Sequence, residues 1–526
     1  IMDAIKVFDP SLNFSTERDI LGSNPNSIPE SIQIRGGSGM PDISQGNLQT
    51  YTNLPIFIMD GFQVTVQQVF DLDINRVESI TILKDAAAAS IYGSRAANGV
   101  MVIETKQPQS GKLRVNYTLN SSFQTPDLSS YNLMNSAELL EYMRLSGKLV
   151  DLDRFDDEIT SNVLQKAYLY NILKSEVDNG VDTYWLSQPL VTALQHNHSL
   201  MLEGGFSIKE MTKWGVRYQV NLMAAPEDGV MKGSSRNRYN AGLKFLFNAG
   251  SKLQISNDVQ IGLIDNSESP YGSFDRYTRL FPFYRMTDAN GRHYRNLSYN
   301  NIPIPSGMPY PSVSDIVSQN SPMYDGLYTD SYNQGETNNI TYNLGVNWSI
   351  NDNLRVKGMF SVNSVTNNNQ QYTSPLSSMY FNSSNVSDDQ SGYTVDNLYK
   401  RGRHVMSNSS QTDISGNIMV SYTKKIHKHS IQGVLGGELS ENSFVSDSYI
   451  TQGFLDGIPG YPSNGIQFLP NSRPTGRDDV KRSAGTFLTA NYSWDERYMF
   501  DLTGRMDGSS NFASKQRTAP FWSVGA

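Results

Sequence analysis

The sequence predicts an all-β fold of the membrane-spanning class, an antiparallel up-and-down barrel preceded by a small α+β domain. Three observations carry this prediction. Roughly eleven segments alternate apolar and polar residues with a strict period of two; tight turns and long connections take turns between them; and neither pattern holds before about residue 110.

The leading region is rich in proline and glycine, and its strands are short. Ile56-Phe-Ile-Met-Asp60-Gly61 reads as one strand and Val77 to Leu83 as another. Asp85 to Ile91 has the makings of a short helix: Asp near the positive end, alanines in the interior and Gly93 as the stop. Asn98-Gly99 offers the two positive-φ positions of a type I′ turn, and Val100 to Ile103 closes the domain. The division expected is 1–111 for this domain and 112–526 for the barrel.

An opening strand is expected over 114–123. Asn135 to Gly147 follows as a helix, with a cap-like start, apolar residues at helical spacing and a terminal glycine. Weaker strands are expected at 196–204 and 428–440. The strongest alternation runs from 338 to 350, where Ile340, Tyr342, Leu344, Val346, Trp348 and Ile350 share one parity while Thr341, Asn343, Gly345, Asn347 and Ser349 share the other. One oily and one wet face result. The same pattern marks Trp214 to Leu222, Tyr239 to Phe247, Leu253 to Leu263, Leu354 to Val362, Ile414 to Tyr422, Leu488 to Trp494 and Tyr498 to Leu502. Each segment is about the length needed to cross a hydrocarbon layer at a tilt.

The connections separate a barrel from a soluble sandwich. Asn248 to Lys252, Asn351 to Asn353, Lys424 to Lys428 and Asp495 to Arg497 are built from residues that tight hairpins prefer. Long connections are expected at 264–337, 364–410 and 441–483. Short turns at one end and long loops at the other suit an outer-membrane barrel, whereas a sandwich has short loops at both ends. Tyr239, Trp494 and Tyr498, near strand ends, suit either aromatic girdles or ordinary strand packing.

Composition narrows the function classes. The chain has 526 residues, too many for one ordinary core, and its 0 cysteines exclude disulfides and thiolate metal sites. A net charge of -8 argues against nucleic acid as a partner. A mean hydropathy of -0.44, without any long apolar run, excludes transmembrane helices but not strands that alternate lipid-facing and lumen-facing residues. Ile1-Met-Asp-Ala-Ile-Lys has no basic start followed by an apolar core, so a leader is expected to have been removed or to lie outside this sequence.

Catalytic and metal-binding patterns are weak. Gly36-Gly-Ser-Gly39 has no following Lys-Ser/Thr pair and reads as a turn rather than a phosphate cradle. His196-Asn-His198 and His427-Lys-His429 each put two imidazoles on one strand face, but without an obvious third ligand they read as strand and turn residues, and no metal site is assigned. Asn385-Val-Ser-Asp388-Asp389 reads as a solvated loop before it reads as a calcium site, and no cofactor is expected. Neither a Gly-x-Ser-x-Gly elbow nor a His-Glu-x-x-His helix is present, so the chain is not expected to be an enzyme.

The stretch from Ile56 to Gly61 and from Val77 to Ile103 closely resembles the plug-domain signature of the SusC/RagA-type TonB-dependent outer-membrane transporters. Asp60, Gly61, Tyr92, Gly93, Arg95, Asn98 and Gly99 carry that likeness, through the Lys-Asp-Ala, Tyr-Gly-Ser-Arg and Ala-Asn-Gly-Val steps. Ser31-Ile-Gln-Ile-Arg35-Gly36 is similar to the family's Ile-Arg-Gly strand, and Gln195 to Gly205 to its second barrel strand. Arg505-Met-Asp507-Gly508-Ser-Ser-Asn511-Phe512, with Pro520-Phe-Trp-Ser523, is similar to a motif about midway round the family's barrel. Since that barrel closes with about 22 strands, the resemblance implies a fragment holding the plug and the first half of the barrel, without the TonB-binding segment.

The resemblance implies that the small domain sits inside the barrel and blocks it. It also implies that plug cations pair with barrel carboxylates: Arg35 and Lys84 stand at the matching places, with Glu78 and Asp85 able to join the latch. The function implied is import of a glycan or oligopeptide, driven by the TonB-ExbB-ExbD system, through the outer membrane of a Gram-negative bacterium, with a SusD-like surface lipoprotein as lid. Tyr271, Phe274, Tyr277, Phe281, Phe283 and Tyr284 offer rings for cargo or lid, although packing of the loop on itself is the preferred reading. The alternatives are a plugged barrel acting as receptor, adhesin or enzyme without transport, and a soluble glycan-binding β-protein. The identity of the cargo is not legible in the residues.

Overall fold

A computed structural model describes residues 12–16, 24–26, 29–34, 55–83, 98–154, 160–208, 214–302, 318–380, 401–511 and 517–525. Two short strands, β1 (Leu12–Thr16) and β2 (Pro29–Ile34), pair antiparallel at the start. A four-stranded sheet follows from β3 (Ile56–Met59), β4 (Phe62–Val64), β5 (Val77–Leu83) and β6 (Val100–Thr105), in the order β4-β3-β6-β5. β6 is therefore central, parallel to β3 and antiparallel to β5. One face buries Phe57, Met59, Met101 and Ile103 with Val69 and Leu72 of the adjoining segment. The other face buries Ile56, Ile58 and Val100. Both faces are covered, as a small domain enclosed by a wall requires.

The type I′ turn falls at a different place from the one expected. Asp60 and Gly61 have φ of 52° and 92° and join β3 to β4, with Met59 opposite Phe62. At Asn98-Gly99 only the glycine is left-handed, with φ of 93°. A Cβ on Gly61 would also lie 2.8 Å from Cε of Met359 on the wall, so the turn needs glycine for backbone and for clearance. Helix Val66–Phe70 starts from a capping box in which Thr65 and Gln68 satisfy each other's backbone N–H.

The wall is one antiparallel sheet. Its strands are β7 (Gly111–Gln124), β8 (Ala193–Ile208), β9 (Trp214–Asp228), β10 (Ser235–Ala249), β11 (Leu253–Ser267), β14 (Tyr332–Ser349), β15 (Leu354–Thr373), β16 (Arg403–Ile426), β17 (His429–Gln452), β19 (Thr475–Trp494), β20 (Tyr498–Ser509) and β21 (Thr518–Gly525). Two-residue strands β12 (Asn296–Leu297) and β13 (Gln319–Asn320) pair within a loop, and β18 (Gln467–Phe468) adds to β17. Among the described residues the path is open, from β7 at one edge to β21 at the other. β21 is one strand more than the alternation discloses, because it is short and Pro520 interrupts it.

The alternation has the inverse of a soluble protein's polarity. On β14, Ile340 and Trp348 are 54% and 48% exposed, while Thr341 and Asn343 are 4% exposed. The same contrast sets exposed Tyr239 and Phe245 against buried Arg236 and Lys244 on β10, and exposed Ile261 and Leu263 against buried Asp258 on β11. An oily exterior around a polar interior is the arrangement that lipid demands. No described helix is long and apolar enough to cross a membrane. Near the short turns Trp214 packs on Phe247, and Trp494 stacks on its cross-strand partner Tyr498, both at 5.5 Å. Leu435, 58% exposed between Val420 and Leu488, gives a direct test. Leu435→Arg in the complete protein is expected to cost about 2–4 kcal/mol of folding stability in bilayers, where a water-exposed site would change by less than about 0.5 kcal/mol. Denaturant titration in lipid vesicles measures it.

Two expectations about connections need correction. The strands run further than their apolar stretches, so the long loops shrink to 268–331, 374–402 and 453–474. Beyond the oily band both faces are polar, and the strands are held by side-chain ladders such as Thr337 to Asn367 and Asn408 to Asp447. A reading by apolar parity stops where lipid stops. The strict alternation of short and long also fails at 229–234, which joins β9 to β10 at the long-loop end in only six residues. That hairpin is tucked beneath the loop module: Val191 donates to the carbonyl of Val230 and Lys232 to that of Pro189.

Candidate functional site: the seam between plug and wall

The small domain touches the wall through discrete polar groups. Asp71, at the end of helix Val66–Phe70, accepts from Arg236 on β10 at 2.9 Å, and Arg238 lies 3.8 Å away. Arg236 also lies over the ring of Phe70, and Arg238 pairs with Glu227 on β9. Asn240 donates to the carbonyl of Asp71 at 2.9 Å. Asp73 accepts from the hydroxyl of Ser199 on β8. Gln68 donates to Thr341 on β14 at 3.0 Å and to Asn363 on β15 at 2.8 Å. Arg76 reaches Gln260 on β11 at 3.3 Å. At the β3–β4 turn, Asp60 accepts from the backbone N–H of Thr105 and from Lys244 of β10, the latter at 2.9 Å. The wall thus wraps the small domain on five strands.

Among the described residues the ion pairs of the seam join carboxylates Asp60 and Asp71 of the small domain to cations Lys244, Arg236 and Arg238 of the wall, while Asp73 meets the hydroxyl of Ser199. Glu78 is exposed on β5 and lines an open cavity of about 1080 Å3 beside Glu104, Glu203, Lys106 and Arg217, and it joins no ion pair among the described residues. Arg35, Lys84 and Asp85 fall outside the described residues, as do Tyr92, Gly93 and Arg95, the helix expected over Asp85 to Ile91, and the loop Asn385 to Asp389. Sequence reasoning missed Asp71, Asp73, Gln68, Arg236, Lys244 and Asp258. A signal was present: Arg236, Arg238, Lys244 and Asp258 are charged residues on the wet parity of their strands. Buried ion pairs stabilise little on balance, but losing one partner is costly, so they fix where the plug sits.

The long loops build a module with its own core. Helices Ser136–Leu145 and Ser161–Asp178 pack with 268–302 around Leu140, Leu169, Leu173, Trp185 and Met323. The first helix keeps the predicted start, with Asn135 and Glu138 forming a capping box, and Gly147 follows its end at φ of 74°. Phe274, Tyr277, Phe283 and Tyr284 are at most 4% exposed in this core, and Tyr271 and Phe281 pack against it. Phe283 meets Tyr284 edge to face at 5.0 Å. The buried four offer no face to a cargo, because their neighbours already occupy it. The histidine pairs also have other work: His198 shares a proton with the hydroxyl of Tyr117 and His429 with that of Tyr492, each at 2.7 Å.

Asp325, on helix Pro322–Tyr328, accepts from the N–H and hydroxyl of Ser378, yet burial holds its carboxyl above the usual range. A raised carboxyl binds its proton more tightly in the folded form. Its stabilising contribution is full below the ordinary carboxylate value and is lost as pH rises through the shifted one. Asp325→Asn, neutral throughout, is expected to remove that part of the pH dependence of loop protease resistance, which lies above the ordinary carboxylate value of about 4.

Residues 1–100 match the model of the TonB-dependent Receptor Plug Domain. The chain is 23% identical over 94% of its length to the TonB-dependent receptor SusC of Bacteroides thetaiotaomicron, covering 44% of that protein. It is 22% identical over 94% of its length to the TonB-dependent receptor P26 of Formosa agariphila, covering 45% of that protein. The chain is of the SusC/RagA type. In fold it matches the structure of the RagAB peptide transporter with a TM-score of 0.72 at 19% identity, covering 98% of this chain and 54% of that one. This SusC/RagA-type chain therefore spans less than half the length of the curated relatives cited.

Proposed function

We propose that the complete protein is an energy-coupled importer in the outer membrane of a Gram-negative bacterium, carrying a large nutrient, a glycan or an oligopeptide. Residues 1–111 form its plug and 112–526 the first half of its barrel. The observation that carries this reading is the seam. A plug that must part from its wall repeatedly is better held by a few polar pairs than by a continuous apolar core, and polar pairs are what line this interface. The TonB-ExbB-ExbD system supplies the pull, and a SusD-like surface lipoprotein closes the long-loop end, for which the packed loop module forms a firm platform. RagAB, a fold neighbour, is described as a peptide transporter; the glycan alternative rests on the family resemblance.

Uptake by cells carrying the complete protein, with and without TonB, tests the proposal. Accumulation of oligosaccharide or oligopeptide that stops when TonB is deleted supports import. Surface binding that persists without any accumulation would assign the protein to the receptor class instead.

A further inference from the structure

We propose that Lys244 is a two-position latch whose second carboxylate is Asp258, so that the plug parts from the wall by exchanging ion-pair partners rather than by stranding charge. This inference rests on the import reading above. Four charged side chains meet along the seam: Asp60 and Arg76 from the plug, Lys244 and Asp258 from the wall. Lys244 Nζ lies 2.9 Å from Asp60 Oδ2 and 3.0 Å from the hydroxyl of Thr105. Lys244 and Asp258 stand directly opposite each other in the β10–β11 register, both on the inner face. Asp258 accepts the amide of Gln260 on Oδ2 at 2.9 Å, while its Oδ1 is buried without a partner. Arg76 donates to the other end of the same amide, so the plug's cation addresses the wall's anion through Gln260. Asp60, Lys244 and Asp258 line one cavity of about 370 Å3.

A buried carboxylate oxygen without a donor is unfavourable, and its persistence calls for a reason. Partner exchange supplies one. With the plug seated, Lys244 serves Asp60. When the plug moves away it takes Asp60 and Arg76 with it, one charge of each sign. Lys244 and Asp258 remain on the wall as cross-strand neighbours, whose Cβ atoms are about 5 Å apart, within reach of the flexible lysine stem. The vacant Oδ1 then accepts the ammonium, and neither body carries a stranded ion. Arg236 also faces a wall carboxylate, Glu227 across the β9–β10 pair, but that group is already engaged by Arg238.

The test uses the complete protein in living cells with a reporter cysteine at Ser361, an inner-face position between Met359, which meets Gly61, and Asn363, which bonds Gln68. Labelling by a small maleimide is timed with TonB active and with TonB deleted. The TonB-dependent rate is expected to fall about tenfold in Asp258→Asn, with the resting rate within about twofold of the parent. Asp258→Glu, which keeps the carboxylate, is expected to behave like the parent. In a Lys244→Met background, Asp258→Asn is expected to add nothing. A parental TonB-dependent rate in Asp258→Asn, or an equal loss in the Lys244→Met background, overturns the exchange while leaving import intact. If Asp258→Asn assembles poorly, the Lys244→Met pair decides alone. A parent whose labelling ignores TonB overturns the import reading, and the exchange with it.

Discussion

Replacing Asp71 by alanine in the complete protein is expected to loosen the plug at rest and raise the passive leak of a small hydrophilic solute. The Asp71 and Arg236 side chains are 8% and 3% exposed, so the guanidinium left behind cannot recover its hydration in place. Loss of one partner of a buried pair costs about 3–5 kcal/mol, against a small net value for the intact pair. The asymmetry makes a second prediction possible within the first. Asp71→Ala combined with Arg236→Met removes both charges and is expected to recover most of the loss. Solute influx into vesicles carrying each variant measures the leak. A single variant as tight as the parent would deny the pair any part in seating the plug.

Phe283→Ala is expected to melt the loop module while sparing the wall. Phe283 is 0% exposed and packs within 5.2 Å of Phe281 and 5.0 Å of Tyr284. Truncating a buried phenylalanine costs about 3–5 kcal/mol, more than a peripheral module of this size can absorb. Limited proteolysis should then cut within 125–192 and 268–331, while the barrel keeps its resistance to detergent unfolding. Tyr271→Ala, at the edge of the same core, is expected to do much less. If the two variants are equally resistant, the aromatic cluster is not the core of the module.

The wall was legible in the sequence because lipid imposes parity: Ile340 to Trp348 could face only one way, and Thr341 and Asn343 only the other. Where lipid ends the signal ends, and so the outer reaches of β15, β16 and β17, rich in Asn, Ser and Gln, read as loops although cross-strand side chains hold them as strands. The helix at 136–145 was legible because capping is local. The seam was not. Its pairs join positions such as 71 and 236, separated by 165 residues, and nothing local says which wet-facing cation will meet which plug carboxylate. The expectation of plug cations came from family resemblance, and the described ion pairs set plug carboxylates against wall cations. The loop aromatics failed as cargo candidates for a related reason: composition says that rings are present, but only packing says whether a face is free.

A nitroxide scan along β14 of the complete protein in bilayers tests the central claim, that the oily parity meets lipid while the wet parity is shut against the plug. Spin labels placed singly from Ile340 to Trp348 should report high oxygen collision rates at 340, 342, 344, 346 and 348, and low access to both oxygen and a water-soluble nickel complex at 341 and 343. Nickel access at the even positions, or no alternation along the strand, would contradict it.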